Sequence, residues 1–199
     1  MSRRSVELRR EEILDATVEQ VQQRGFGSTR VGDVAAALDI SSGLVFYHFG
    51  TKDELFAAAL EHAADRDLAR LERTAGRATD PLDGVRRILA LYSPQGAAPG
   101  WTIWVDGWAE ALRSEQMREA SKRLDVRWKD VLARAIADGV ADGTFHCEDA
   151  DAAAWRLSAL LDGLAVQVMV HRTLTKRQLA EWVRTATARE LGIDPARLR

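Results

Sequence analysis

A single cysteine, Cys147, in 199 residues excludes an intrachain disulfide framework and any metal site built from several thiolates. Proline is scarce, with four residues, and strand-like alternation of apolar and polar side chains is hard to find. Both features point to helices rather than sheet. No apolar run reads as long enough to span a bilayer, and no apolar core follows the N-terminal arginines to make a signal peptide. A reducing cytoplasm is the expected compartment, with no membrane partner. An excess of one charge is also missing, since 28 Lys and Arg oppose 30 Asp and Glu for a net of −2. What remains is 46% hydrophobic, 29% charged and rich in Ala, Leu, Arg and Glu, enough to bury a core. An all-α fold follows.

The most informative stretch is Thr29–Leu55, TRVGDVAAALDISSGLVFYHFGTKDEL. Val31, Val34, Ala35 and Leu38 fall at i, i+3, i+4 and i+7, one face of a helix. Asp39-Ile40-Ser41 breaks that pattern, and Ser41 is placed to cap a second helix, Ser42–Phe49. Thr51-Lys52-Asp53-Glu54 has the form of a capping box, so a third helix starts there. Two short helices across a tight turn, the second presented outward, are a solution for reading a DNA groove.

The run Ser41–Leu55, SSGLVFYHFGTKDEL, resembles the signature of the TetR family of bacterial transcriptional regulators. A helix over Arg10–Arg24 followed by Gly25-Phe26, and the length of the chain, fit that family too. The resemblance implies a homodimeric all-helical regulator, about nine helices in total, whose DNA affinity is lowered by a small-molecule effector. It places a helix-turn-helix domain in residues 1–51 and a ligand-binding and dimerisation domain in residues 52–199. By the same resemblance, Ser42, Gly43, Leu44, Tyr47, His48 and Lys52 supply DNA contacts. Residue 42, often lysine in the family, is serine here; residue 46, often tyrosine, is Phe46, read as packing. The recognition helix thus lacks Arg, Asn and Gln, the side chains that read bases bidentately. Arg30 is the candidate for a guanine contact, with a phosphate contact as the equal alternative. Val34, Leu38, Val45 and Phe49 are expected in the core.

The net charge hides a local excess. Arg3, Arg4, Arg9 and Arg10 against Glu7 give the first ten residues +3, and Arg24, Arg30 and Lys52 add to the supply near the reading helix. Phosphate contacts need such local charge, not a basic protein. A solvated tail is the alternative for the N-terminal arginines.

Beyond the motif, helices are expected over Lys52 to about Ala75, from Pro81 to Tyr92, from Trp101 to Leu112, from Met117 to about Val140, over Ala150–His171 and over Thr175–Arg189. Ser93 to Gly100 is the one clear loop. Ala150–His171 has two apolar faces, one with Leu157, Leu160, Leu161, Leu164 and Val168, the other with Trp155, Ala159, Val166 and Met169. A helix apolar on two sides must be sandwiched, and the family resemblance supplies the last two helices of a second subunit.

All six tryptophans lie beyond residue 100. Trp101, Trp104 and Trp108 form one stripe on one helix, Trp128 and Trp155 lie on others, and Asp162 sits mid-helix among apolar residues. Tryptophan faces and a carboxylate suit an organic cation, a polyamine or a quaternary amine. The Trp-rich helix and the Leu161-Asp162-Gly163-Leu164 run are similar to the choline-responsive branch of the family. An ordinary core for the stripe, a structural pair for Asp162 and an acyl or aromatic effector stay open. Asp106 and Glu110 lie about 140° and 180° around the helix from Trp101, at 100° per residue, so they need not share a cavity with it. A helical small-molecule binder without a DNA role is the rival of another class. No cofactor or metal is implied. An enzyme has little to stand on, because His146-Cys147-Glu148-Asp149, the one reactive-looking cluster, reads as a solvated loop.

Overall fold

The structure, a computed structural model, describes residues 3–93 and 99–198. The expected loop at 93–100 falls mainly on residues 94–98 and so lies outside the described residues, as does the side chain of Arg3. The described residues form nine α-helices and no strand. They are α1 (Arg3–Arg24), α2 (Val31–Ala37), α3 (Ser42–Phe49), α4 (Lys52–Ala75), α5 (Pro81–Tyr92), α6 (Pro99–Ala111), α7 (Glu115–Ala141), α8 (Ala150–Val166) and α9 (Lys176–Glu190). A π-type turn, Gln167–His171, continues α8, and a 3-10 turn, Pro195–Leu198, follows α9.

Short side chains start these helices where the sequence places them. The Ser41 hydroxyl accepts from the Leu44 N–H at 3.2 Å. At α4 the box is reciprocal: the Glu54 N–H donates to the Thr51 hydroxyl at 3.1 Å, and the Thr51 N–H donates to the Glu54 carboxylate at 3.0 Å. Thr175 and Gln178 repeat it at α9. Such caps satisfy backbone donors that a helix leaves open at its start, and each is worth about 1 kcal/mol. Asp39 takes φ 53° in the turn between α2 and α3, a conformation that Asp tolerates better than most residues.

Two expectations need correction. α1 begins at Arg3 rather than Arg10, so the basic N-terminal stretch is helical. Oppositely charged residues one turn apart support it, as in the Arg9–Glu12 pair at 2.7 Å. And one stretch, Ala150–His171, is long and apolar enough by length and composition to cross a membrane, with a mean hydropathy of 1.3. Its two apolar faces account for that value, because a helix with two packing surfaces carries few charges.

By compactness the chain divides into two units, Met1–Asp67 with Pro99–Asp125 and Leu68–Ala98 with Val126–Arg199. The core of the first gathers Ile13, Val21, Phe26, Val34, Val45, Phe49, Leu55, Leu60 and Ile103, all buried. Phe26 and Phe56 meet edge to face at 5.3 Å. Burying each such large side chain contributes roughly 1.5–3 kcal/mol, which outweighs the weak helix-forming tendency of segments as short as α2 and α3. In the second unit α8 packs on α9. Leu157, Leu161 and Leu164 of α8 are buried, as are Leu179 and Val183 of α9. Arg156 clamps the pair from outside with a two-pronged ion pair to Glu190, at 2.8 and 2.6 Å.

Candidate nucleic-acid interface and effector helix

α3 owes its position to its apolar side. Val45 and Phe49 are buried in the core of the first unit, which turns the opposite side of this eight-residue helix outward. On that side Tyr47 is 75% exposed, Ser42, Leu44 and His48 are partly exposed, and Gly43 is exposed. A side chain added at Gly43 would meet nothing closer than 3.7 Å, so the glycine serves no internal packing need and leaves the helix start open to a partner. Phe46, read from the sequence as packing, is 43% exposed and belongs to this surface. The reason is angular: one residue beyond Val45 on a helix lies about 100° away from it.

The charges around α3 are more engaged than the sequence suggests. Arg24 pairs with Asp33 at 3.1 Å, and the same carboxylate accepts from the Arg30 backbone N–H at 2.8 Å. The Arg30 side chain itself is exposed at the start of α2. The Lys52 ammonium lies 4.8 Å from the centre of the Phe56 ring, at the start of α4. Arg10 reaches the far end of α3, with Nη1 donating to the His48 carbonyl at 2.9 Å. Behind this surface Asp15 of α1 accepts from His62 at 2.8 Å and from Arg66 at 2.6 Å, both on α4. The His62 bond, backed by Arg66, holds the Asp15 carboxyl below the usual range.

Trp101, Trp104 and Trp108 lie together on α6, in the same unit as α3. Trp101 and Trp108 meet edge to face at 6.1 Å, and Trp104 and Trp108 lie 6.4 Å apart. All three are partly buried, whereas Leu112 beyond them is 80% exposed. The other side of α6 is fastened to the turn that leads into α2. Asp106 accepts from the Phe26 N–H at 2.5 Å, and Gly107 packs against Phe26 and Leu60. A Cβ on Gly25 or Gly27 would lie 3.1 Å from the Asp106 carboxylate or 3.3 Å from that of Glu110, so the turn and α6 are closely apposed. Both carboxylates therefore face α1–α2 and not the tryptophan side. A carboxylate opposite an apolar stripe was the one available sign of this, and it did not say what the carboxylate meets.

The second unit holds Trp128, Trp155 and Asp162. Trp128 meets Tyr92 edge to face at 4.9 Å, and its indole N–H is shielded from solvent without an acceptor among the described residues. Trp155 is 52% exposed, with the ammonium of the buried Lys129 4.2 Å from its ring centre. Asp162 is partly buried, and its Oδ1 is shielded from solvent. The two apolar faces of α8 are now distinguishable. Leu157, Leu161 and Leu164 point into the core; Trp155, Ala159, Gly163 and Val170 stand exposed, as does Trp182 of α9.

The reactive-looking cluster has structural partners. The His146 N–H donates to the Leu191 carbonyl, Asp149 caps α8, and the Cys147 thiol donates to the Asp149 carbonyl at 3.4 Å. Among the described residues no three of His, Cys, Asp or Glu are grouped to hold a metal.

Comparison with known proteins agrees with this architecture. Residues 13–59 match the model of bacterial regulatory proteins of the tetR family, and residues 81–192 match that of the BetI-type transcriptional repressor C-terminal region. An HTH-type transcriptional regulator BetI from Paraburkholderia xenovorans is 30% identical over 170 residues, 79% of this chain and 80% of that one. Among solved structures, a transcriptional regulator from Saccharomonospora viridis in complex with choline superimposes with a TM-score of 0.79 at 26% identity, over 90% of this chain and 95% of that one. A TetR-family regulator from Rhodococcus sp. gives the same TM-score at 27% identity, over 92% and 98%. The outward α3, set by a capped turn on a three-helix core, and these matches over both halves identify the chain as a TetR-family transcriptional regulator with a C-terminal region of the BetI type.

Proposed function

We propose that this protein is a cytoplasmic homodimeric repressor that reads a palindromic operator through α3 and is released by a small organic cation. Residues 1–51 read DNA in this account, and residues 52–199 dimerise and sense. The observation that carries the DNA assignment is the outward side of α3, where Tyr47 is 75% exposed beside Ser42, Gly43, Leu44 and His48. Hydroxyls, an imidazole and an open backbone suit phosphate oxygens, Leu44 suits a thymine methyl, and Arg30 and Lys52 flank them as cations. Two such helices related by a dyad would read two half-sites. The outward apolar side of α8, with Trp155 and Trp182, supports the last two helices as the dimer contact.

The effector class rests on aromatic surface. Tryptophan faces attract a quaternary ammonium, and the Saccharomonospora viridis neighbour is a complex with choline. The α6 stripe and Trp128 are the faces we assign to it, with Asp162 as a candidate counter-charge. The unanswered indole N–H of Trp128 favours a cation that also carries an oxygen acceptor. The Asp106 bond to the Phe26 N–H supports α6 as the helix that passes the signal to the reading head. Only a difference in effector affinity between the DNA-bound and released conformations can drive such a switch, typically about 1–3 kcal/mol.

The test is fluorescence anisotropy on an operator selected from random duplexes. Tyr47→Ala or Lys52→Ala, folded as judged by thermal melting, is expected to weaken binding roughly tenfold, the cost of one or two lost phosphate bonds. Unchanged binding would remove α3 from the interface. Choline, betaine and spermidine are then titrated beside acyl-CoAs and planar aromatics. Release by cations alone, needing more cation in Trp104→Ala, is the expected result. Release by acyl or aromatic compounds alone would make the tryptophans an apolar lining.

A further inference from the structure

The guanidinium of Arg10 makes two contacts with the end of α3. Its Nη1 donates to the His48 carbonyl at 2.9 Å, and its Cζ stands 4.2 Å from the centre of the Phe49 ring. The His48 carbonyl is one of the last four in its helix, which have no donor within the helix itself. Phe49 is 5% exposed, so the ring under the guanidinium is a plate fixed by the core. The remaining bonds at this helix end are local, from the Gly50 N–H to the Phe46 carbonyl and from the Thr51 N–H to the Phe49 carbonyl. Arg10 adds a bond from a different helix, 38 residues away in sequence.

We infer that Arg10 is a positioning residue, which pins the C-terminal end of α3 to α1 and so sets the angle at which Tyr47 and His48 are presented. Its charge is directed at a carbonyl and a ring rather than at a phosphate, although it lies in the basic N-terminal stretch. The inference rests on α3 as the reading helix. Arginine suits the task because its planar group can stack on an aromatic face while donating in its own plane, which an ammonium cannot reproduce.

The two roles leave different marks on salt dependence. Losing a phosphate contact lowers the log–log salt slope by about 0.9 and weakens all sequences alike. Losing a positioning contact leaves the slope intact and falls on the cognate sequence. The experiment measures affinity against KCl concentration for wild type, Arg10→Gln and Arg10→Lys, on the selected operator and on a scrambled duplex. Thermal midpoints are recorded on the same samples.

Arg10→Gln is expected to bind the operator roughly tenfold more weakly, as fits loss of a charge-assisted bond, with scrambled DNA nearly unchanged and the slope preserved. Arg10→Lys is expected to behave like Arg10→Gln. A slope lower by about 0.9 in Arg10→Gln would overturn the inference, as would full recovery in Arg10→Lys. A fall in thermal midpoint with operator affinity intact would reduce Arg10 to a stabilising contact and also overturn it. A wild type that selects no operator would overturn both this inference and the reading of α3, whereas failure in the variants alone leaves that reading standing.

Discussion

The outward sides of α3 and of the α8–α9 pair both expose aromatic residues, yet they suit opposite partners. On α3, Tyr47 and Phe46 stand among a hydroxyl, an imidazole and a glycine, with Arg30 and Lys52 nearby in sequence. On α8 and α9, Trp155, Trp182 and Val170 are each about half exposed, and Ala159 and Gly163 leave room for a close approach. The first surface can satisfy phosphate oxygens; the second offers water little and gains most from another apolar face. Exposure therefore marks a place where a partner fits, and the accompanying side chains decide which.

That contrast can be broken from the inside outward. Leu157→Ala, on the buried side of α8, should cost about 2–5 kcal/mol of folding stability, read as a shifted urea midpoint. Trp155→Ala on the other side should cost far less in a monomer, so comparable losses at low concentration would erase the distinction between the two faces. Next in size, Trp155→Glu combined with Trp182→Glu should yield a folded monomer by sedimentation equilibrium and weaken operator binding about 100-fold, since charge at a packed apolar contact is costly and half the readout is lost. A dimer that survives both changes would move the interface elsewhere.

The smallest expected effect concerns the ion pair outside the α8–α9 core. Arg156 holds the Glu190 carboxyl below its ordinary value of 4.5. A lowered carboxyl stabilises the fold fully above that ordinary value, and the contribution fades as pH falls through the folded value. Arg156→Met should leave stability nearly unchanged under acid conditions and lower it slightly at neutral pH, because exposed ion pairs contribute little. The measurement is the urea midpoint between pH 3 and 7. A loss in Arg156→Met that does not shrink toward pH 3 would show that the arginine acts through packing alone.

The reading head was legible because its information is local. A cap such as Ser41 or Thr51–Glu54 is recognisable within four residues, and a buried stripe such as Val31, Val34 and Ala35 shows its own period. α8 was legible only as doubly apolar. Its two faces have the same composition, and which one meets α9 depends on residues about twenty positions away. The same limit applied to Phe46, where one step along a short helix separates core from surface, and to Asp106, whose partner is a backbone N–H 80 residues earlier.

By itself the sequence determined the all-helical fold, the capped helix-turn-helix and the family, because period, caps and turn residues act between near neighbours. The tertiary structure decided the rest: that Arg10 grips the end of α3, that Asp106 ties α6 to the turn before α2, and that Trp155 stands outward while Leu157 is buried. These depend on how helices far apart in the chain are brought together, and a carboxylate or guanidinium in a sequence carries no mark of the distant group it will meet.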